Sequence, residues 1–218
     1  SDAAPKGGAP YLTRKSVGAH GLRFIRGGTA VVPMRDELGR LWSVQRLLPK
    51  RMRDKQTGQE TTDKLYGPAK AGPGDEVHSR KAGLFHVLGM LDGAPLALLG
   101  EGYATCATLH ECTGWPVVVC FDSGNLLHVA RVLRSKWPAL PFLVCGDDDL
   151  ATEAKGRKNA GRVSAGKAAD LAGASAGLAA VVLPAELPED GSDFNDMAAN
   201  VGAARVAGPE PVDLRCLL

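Results

Sequence analysis

The sequence predicts an α/β fold with a central parallel sheet, flanking helices and a smaller, mostly β subdomain in front of it. Four short apolar runs, each long enough for one strand, lie in the second half of the chain: residues 96–99, 116–121, 141–145 and 178–183. Helical patterns follow these runs, so strand and helix alternate. Apolar strands without an apolar–polar alternation are typical of a parallel sheet that is buried on both faces.

The first half is expected to form irregular β structure. Residues 1–27 contain no apolar segment that could direct secretion, and we interpret them as a flexible leader. Residues 29–33 and 41–47 are β-rich runs on either side of a turn sequence, Asp-Glu-Leu-Gly, which predicts a hairpin. Residues 50–63 are rich in Lys, Arg, Gly and Thr without periodicity and predict a mobile loop. A basic, mostly β subdomain is therefore predicted over residues 28–94.

The second half is expected to form one catalytic domain over residues 95–205, followed by a tail over residues 206–218. Each apolar run is followed by a predicted helix, at residues 103–111, 126–137, 159–174 and 194–199. Right-handed crossovers bring the carboxyl ends of parallel strands to the same edge of a sheet. Ligands bind outside that edge, so the residues that follow the strands are the first candidates for a functional site.

The net charge of +2 conceals opposite charges in the two halves. Residues 1–83 contain 16 Lys and Arg against 8 Asp and Glu, whereas residues 84–218 contain 10 against 16. Positive surface favours a polyanionic partner, and clustered carboxylates favour a metal ion. The five cysteines show no CxxC spacing, so we expect neither a zinc site nor a disulfide framework. Reduced thiols indicate a cytoplasmic protein, and the absence of a long uncharged apolar stretch argues against a membrane partner.

Acidic residues follow every apolar run. Glu101 follows the first run, Asp122 the second and residues 147–149 the third, and Asp193 and Asp196 follow the fourth. Asp122 begins the sequence Asp-Ser-Gly-Asn, which is typical of a helix start, and we expect it to cap a helix. The negative charges of three consecutive acids repel one another, and a bound cation would offset this repulsion. Oxygen ligands without His or Cys favour Mg²⁺ or Mn²⁺.

Several of these segments resemble the TOPRIM domain of bacterial primases, topoisomerases and some nucleases. They read Leu-Gly-Glu-Gly-Tyr-Ala-Thr from residue 99, Cys-Gly-Asp-Asp-Asp from residue 145 and Ser-Asp-Phe-Asn-Asp from residue 192. Together with Phe-Asp-Ser-Gly-Asn-Leu from residue 121, and with residues 39–45 and 82–88, they are most similar to the TraC-type primases of conjugative plasmids and related mobile elements. The resemblance extends over residues 28–200 and implies a Rossmann-like TOPRIM sheet.

The resemblance implies Mg²⁺-dependent nucleotidyl transfer, in which short primers are made from NTPs on single-stranded DNA. Glu101 matches the family's catalytic glutamate, as general base or as metal ligand. Asp147 and Asp149 match the Asp-x-Asp pair that holds Mg²⁺, and Asp148 between them need not bind the ion. Two further acidic residues match the family's later acidic motif and are expected metal ligands: Asp193 and Asp196.

Basic residues are expected to bind the template backbone or a triphosphate, because phosphate contacts provide affinity that does not depend on sequence. One group lies in the first half: Arg46, Lys50, Arg51, Arg53, Lys55, Lys64 and Lys70. A second group follows the acidic triplet: Lys155, Arg157 and Lys158. Two aromatic residues, Trp42 and Tyr66, offer rings on which bases could stack, although a single aromatic residue in a strand belongs more often to the core.

Two other functions fit the same residues. A TOPRIM nuclease would use the carboxylates to hydrolyse phosphodiesters, and a non-catalytic fragment of a larger replication protein would only bind nucleic acid. Primases of this kind usually carry an N-terminal zinc-binding module, and this chain contains no matching cysteine pairs. We therefore interpret the chain as the catalytic-core fragment of a larger protein or as a reduced version of such a primase. A zinc-binding module, a helicase or a relaxase is therefore an expected partner, either in the parent protein or as a separate chain.

Overall fold

The computed structural model describes residues 7–68 and 80–207, and the chain forms two compact units, Ser1–His86 and Val87–Leu218. The first unit contains a short helix and a four-stranded antiparallel sheet in the order β1-β2-β3-β4. Its elements are α1 (Pro10–Lys15), β1 (Arg23–Ile25), β2 (Thr29–Arg35), β3 (Leu41–Leu47) and β4 (Lys64–Pro68). This architecture confirms the predicted β-rich subdomain.

Strands β2 and β3 form the predicted hairpin. Ala30 lies opposite Leu47 in the antiparallel register. Alternate side chains of β2 are fully buried, namely those of Ala30, Val32 and Met34. This alternation is expected of an antiparallel sheet that packs on the core with one face.

The turn between β2 and β3 is organised by the buried carboxylate of Asp36. One oxygen accepts hydrogen bonds from the backbone N–H groups of Leu38 and Arg40, at 3.0 and 2.9 Å. The other accepts from Arg40 Nε and Trp42 Nε1, both at 2.8 Å. Burial raises the pKa of Asp36, but these hydrogen bonds outweigh it and lower the pKa to about 2. The Trp42 ring also lies 4.4 Å from the guanidinium carbon of Arg80, so this aromatic residue has a structural role.

The prediction of a flexible leader over residues 1–27 is wrong for residues 10–25, while residues 1–6 lie outside the described part. Helix α1 begins with a proline, which favours the first turn of a helix. Tyr11 and Phe24 are buried, and β1 is paired with β2. A six-residue helix is too short to show a clear apolar period, which is why the sequence pattern did not reveal it.

Residues 50–63, which the sequence predicted to be a mobile loop, form a hairpin-like loop with backbone hydrogen bonds across it. The Met52 N–H donates to the Thr62 carbonyl at 2.8 Å. At the tip, the Asp54 carboxylate accepts from the Thr57 N–H at 2.7 Å. Polar side chains in a turn compete well for nearby backbone N–H groups, so this loop is ordered by local hydrogen bonds that have no apolar signature.

The second unit is an α/β fold around a five-stranded sheet in the order β5-β7-β6-β8-β9, in which β6 is parallel to β7 and β8, and β8 is parallel to β9. Its strands are β5 (His86–Leu88), β6 (Ala97–Gly100), β7 (Val117–Val119), β8 (Phe142–Cys145) and β9 (Ala179–Val182). The four predicted apolar runs are thus four neighbouring parallel strands. The division between the units falls within β5, whereas the sequence predicted a boundary at residues 94 and 95.

A helix follows each of the four parallel strands, as predicted, and two short helices, Leu150–Ala154 and Ala203–Ala207, were not predicted. The helices are α2 (Tyr103–Thr113), α3 (Ser123–Lys136), α4 (Leu150–Ala154), α5 (Ala160–Ala172), α6 (Phe194–Val201) and α7 (Ala203–Ala207), with a 3₁₀ turn at Ala174–Ala176. The predicted tail begins inside α7, and residues 208–218 lie outside the described part. Within residues 7–68 and 80–207, no helix has both the length and the apolar character needed to cross a bilayer.

Candidate active site

The carboxyl ends of four parallel strands lie level with one another at one edge of the second sheet. Gly100, the last residue of β6, is paired with Val119 of β7 and with Cys145 of β8. Cys145 is in turn paired with Val182 of β9. The acidic residues that follow these strands therefore start from the same edge, which is where α/β sheets bind ligands.

Glu101 directly follows β6 and is 8% exposed. The glycine before it is required by close packing, because a Cβ on Gly100 would lie 2.7 Å from the Sγ of Cys106. After Glu101 the chain enters helix α2, whose first residue, Tyr103, is fully buried. The turn that carries Glu101 is thus held by buried residues on both sides.

Three buried thiols lie beneath this edge, and the nearby carboxylates affect their pKa values. Burial raises the pKa of Cys106 well above its usual value, and the negative charges of Asp147 and Glu101 raise this pKa further. Burial and the charge of Glu101 act on Cys120 in the same way. Burial and the charge of Asp147 raise the pKa of Cys145 to about 12. The charges of Glu101 and Asp147, two of the three predicted catalytic residues, therefore both act on the Cys106 thiol.

Two of the acidic residues cap helices. Asp122 caps α3 and accepts a hydrogen bond from the Asn125 N–H at 3.1 Å, as the sequence predicted. Asp149 caps α4 and accepts from the Thr152 N–H at 2.9 Å. Hydrogen bonds from Thr152 and the charge of Lys155 lower the pKa of Asp149. Asp149 is therefore ionised at neutral pH and has one carboxylate oxygen in a cap.

Asp148, the middle residue of the triplet, is neutralised within the chain. Its carboxylate forms an ion pair with Arg162 at 2.8 Å. The expectation that three consecutive acids need a bound cation is therefore corrected for this residue, because a protein side chain supplies the positive charge.

The later acidic motif is organised around the start of α6. Asp193 caps this helix and accepts from the N–H groups of Asn195 and Asp196 at 2.7 and 2.9 Å. The Asp196 carboxylate accepts from the Ser192 N–H at 3.0 Å. Both carboxylates thus have structural hydrogen bonds, and a role as metal ligands stays a prediction.

The donor chemistry of the edge suits a hard divalent cation. Among the described residues, no three His, Cys, Asp or Glu side chains are arranged to hold a metal ion together. Mg²⁺ usually keeps several waters and is held by one or two carboxylates together with substrate phosphates. Glu101 and Asp147, with Asp149 two residues further along, fit that requirement without a preformed cage of protein ligands.

Five basic residues line an open cavity of about 680 Å³ in the first unit. This basic cavity is formed by helix α1 and the loop after β3, and its lining is Arg14, Lys15, Pro49, Lys50, Arg51, Arg53, Glu60 and Asp63. Arg53 and Glu60 form an ion pair at 3.6 Å across the loop. The excess of positive charge on a concave surface favours phosphate groups.

The other predicted basic residues lie elsewhere. Arg46 is in β3, and its guanidinium lies against Gly67 of the neighbouring strand β4. A Cβ on Gly67 would lie only 2.7 Å from this guanidinium. Lys64 begins β4, and Lys55 is exposed in the loop but does not line the cavity. Lys70 lies outside the described residues. The second predicted group is exposed between α4 and α5: Lys155, Arg157 and Lys158.

Four residues with a place in these sites were not selected from the sequence: Arg14, Lys15, Asn159 and Arg162. Arg14 and Lys15 belong to α1, and the signal that could have revealed this helix is Pro10 followed by an apolar pair. Asn159 matches the pattern of a helix cap. The pairing of Arg162 with Asp148 has no local signal, because it depends on where α5 packs.

Comparison with known proteins assigns the second unit to a family. A family model described as Toprim domain matches residues 96–204. Two Escherichia coli proteins, both named DNA primase TraC, are 36% identical over 172 residues and 34% identical over 182 residues. These alignments cover 77% and 81% of this chain. The chain spans only 14% and 11% of the length of these relatives.

A solved structure has the same fold. The zinc-binding and RNA polymerase domains of the Aquifex aeolicus primase superpose with a TM-score of 0.50 at 22% identity. The match covers 84% of this chain and 39% of that one. The family model and the relatives confirm the resemblance seen in the sequence motifs.

Proposed function

Because the chain belongs to the Toprim domain family, we propose that it carries the nucleotidyl-transfer site of a DNA primase. In this role it would join NTPs into short primers on a single-stranded DNA template. The similarity to two proteins named DNA primase supports synthesis over hydrolysis. The observation that carries the proposal is that Glu101 and Asp147 follow adjacent parallel strands, whose last paired residues, Gly100 and Cys145, lie side by side at one edge of the sheet.

The reaction joins a 3′-hydroxyl to the α-phosphate of an NTP. The hydroxyl oxygen forms the new P–O bond, the bond from the α-phosphorus to the bridging oxygen breaks, and pyrophosphate leaves. The hydroxyl proton passes to a base as the bond forms. Negative charge develops on the phosphate oxygens, so the rate depends on nearby positive charge and on positioning.

Each carboxylate at the edge has a proposed role. Asp147 and Asp149 would hold Mg²⁺ or Mn²⁺, which supplies positive charge next to the triphosphate. Glu101 would accept the proton of the 3′-hydroxyl or join the ligands of the ion. Asp193 and Asp196 would complete the acidic edge from the start of α6.

The basic residues would bind the phosphates of the substrates. In the first unit, the basic cavity would bind template phosphates, and Arg14 and Lys15 would act together with Lys50, Arg51 and Arg53. Arg46, Lys64 and Lys70 would also bind phosphates. The exposed loop between α4 and α5 would contact the triphosphate or the product through three residues: Lys155, Arg157 and Lys158.

We further propose a cytoplasmic role in the replication or transfer of a plasmid or another mobile element. This setting rests on the resemblance to the TraC-type primases. A zinc-binding module, a helicase or a relaxase would contribute template recognition, in the parent protein or as a separate chain.

Incubation of the protein with single-stranded DNA, NTPs and Mg²⁺ tests the proposed reaction. We expect extension products from the wild type and from Glu111→Gln, which changes an exposed residue of helix α2. Glu101→Gln is expected to lose at least about 100-fold in rate, the usual contribution of a general base. Wild-type synthesis by Glu101→Gln would overturn the role of Glu101. Cleaved template would indicate a nuclease, and DNA binding without any product would indicate a non-catalytic module.

A further inference from the structure

Asp148 is held by two residues at the start of helix α5. Arg162 donates two parallel hydrogen bonds to its carboxylate, from Nε to Oδ1 at 3.0 Å and from Nη2 to Oδ2 at 2.8 Å. Asn159 Nδ2 donates to the same Oδ1 at 2.7 Å. Two-pronged contacts between arginine and a carboxylate fix the orientation of both groups. The orientation of the Asp148 side chain is therefore set by α5.

The same contacts hold the backbone of residues 147–149, which we call the acidic loop. Asn159 Oδ1 accepts a hydrogen bond from the Asp149 N–H at 3.3 Å. The Asp148 N–H donates to the Ser192 carbonyl at 2.6 Å. The acidic loop is thereby tied on one side to α5 and on the other to the segment before α6.

Two glycines allow the acidic loop to lie directly on α5. A Cβ on Gly161 would overlap the carbonyl oxygen of Asp147, and a Cβ on Gly146 would lie 2.6 Å from the Cβ of Ala165. Real Cβ atoms do not approach backbone this closely, so larger residues would force the loop and the helix apart. The position of the loop is therefore set by direct contact with α5.

We propose that Arg162 and Asn159 are positioning residues that hold Asp148 inward and thereby place Asp147 and Asp149 at the edge of the sheet. Burial distinguishes the three side chains, because Asp148 is buried and both of its neighbours are partly exposed. This inference rests on the proposed function, in which Asp147 and Asp149 hold a divalent ion.

Arg162 donates both of its side-chain hydrogen bonds to Asp148, and its Nη1 also lies 3.7 Å from a carboxylate oxygen of Glu153. Arg162 could act through its charge alone or by positioning the acidic loop, and these two roles predict opposite changes in cation affinity when Arg162 is replaced by a neutral residue. If Arg162 acted only through its charge, removing that charge would favour a bound cation by reducing repulsion. If Arg162 positions the acidic loop, the same change releases the loop and weakens cation binding.

Mn²⁺ binding to the full chain, measured by titration calorimetry with thermal unfolding in parallel, separates these roles. We expect Arg162→Gln to weaken Mn²⁺ binding roughly 10- to 100-fold, the usual effect of losing a residue that orients a metal ligand. Lys167→Gln removes the same charge from an exposed position of α5 and is expected to leave binding unchanged. Arg162→Lys retains the charge without the two-pronged geometry and is expected to fall between them.

If Arg162→Gln does not fold, a second variant tests whether α5 positions the acidic loop. Asn159→Ser retains a good helix cap but removes the amide donor to Asp148, and we expect weaker Mn²⁺ binding. Binding in Arg162→Gln, or in Asn159→Ser, that equals or exceeds the wild type would overturn the positioning role alone. A wild-type protein that binds no Mn²⁺ would overturn both this inference and the proposed metal site.

Discussion

The guanidinium of Arg14 lies 2.9 Å from the carboxylate of Asp63, which is 49 residues further along the chain. Arg14 also donates to the carbonyl of Pro49 at 3.1 Å. An exposed ion pair of this kind contributes little free energy by itself. Its importance is geometric, because the two contacts of Arg14 join helix α1 to both ends of the loop at residues 50–63. These elements together line the basic cavity.

Charge reversal in the basic cavity should weaken binding of single-stranded DNA. We expect Lys50→Glu and Arg51→Glu to reduce affinity and to lower the slope of log affinity against log salt by about 0.7 for each phosphate that the variant no longer neutralises. The measurement is fluorescence anisotropy with a labelled oligonucleotide at several salt concentrations.

Arg26→Glu is the matched control for the cavity, because it reverses an exposed charge of the first unit outside the lining. Equal losses in Arg26→Glu and Arg51→Glu would indicate a general charge effect and contradict a specific cavity. None of the described residues in the lining is aromatic. An oligonucleotide without bases should therefore bind the cavity as well as one with bases.

Asp36→Asn should destabilise the first unit by about 2 kcal/mol at pH 7, because hydrogen bonds to an ionised group contribute about that much. The pKa of Asp36 is lowered from 3.8 to about 2 in the folded state. The carboxylate therefore stabilises the fold above pH 3.8, and this contribution is lost as the pH falls towards 2. Urea unfolding of the wild type and of Asp36→Asn across this pH range tests the prediction. A stability difference between the two proteins that does not shrink at low pH would contradict it.

His86 should make the protein less stable in mild acid. Burial, with a smaller contribution from the charge of Arg35, lowers the pKa of His86 from 6.5 to about 4. Between these values the unfolded chain binds a proton that the folded chain does not, so stability falls as the pH decreases from 6.5 to 4. The full effect is about 3 kcal/mol. His86→Gln should remove this part of the pH dependence in urea unfolding, and an unchanged profile would argue against it.

Two alanine substitutions in α5 should have opposite effects on thermal stability. Gly161→Ala introduces a Cβ that overlaps the Asp147 backbone, and we expect a loss of about 1–3 kcal/mol from overpacking. Gly166→Ala meets no atom within 4 Å and should stabilise the helix by about 0.5–1 kcal/mol. Calorimetric unfolding of both variants checks this, and a higher Tm for Gly161→Ala would show that the loop does not rest on α5.

The parallel strands could be predicted because each is specified by a short continuous segment. The apolar runs at residues 96–99 and 141–145 correspond to β6 (Ala97–Gly100) and β8 (Phe142–Cys145). Asp122 was predicted as a helix cap for the same reason, since the N–H that it accepts from is only three residues away. Interactions within a few residues leave a pattern that can be read without the fold.

The candidate site could be predicted only in part. The motifs identified Glu101 and Asp147, and the parallel register places both at one edge. The cation predicted beside the three consecutive acids did not anticipate the pairing of Arg162 with Asp148, because this pairing depends on the packing of α5. Helix α1 was missed because six residues with one buried apolar pair do not form a distinct period.

The sequence by itself determined the alternation of four parallel strands with helices, the acidic residues at the strand ends and the family to which these motifs belong. Tertiary structure decided which charges meet, as it does for Arg162 with Asp148 and for Arg14 with Asp63. The reason is physical: apolar periodicity and helix caps act over a few residues, whereas a side-chain ion pair depends on how distant elements pack. A long charged side chain reaches several neighbours, and only the packed core selects one of them.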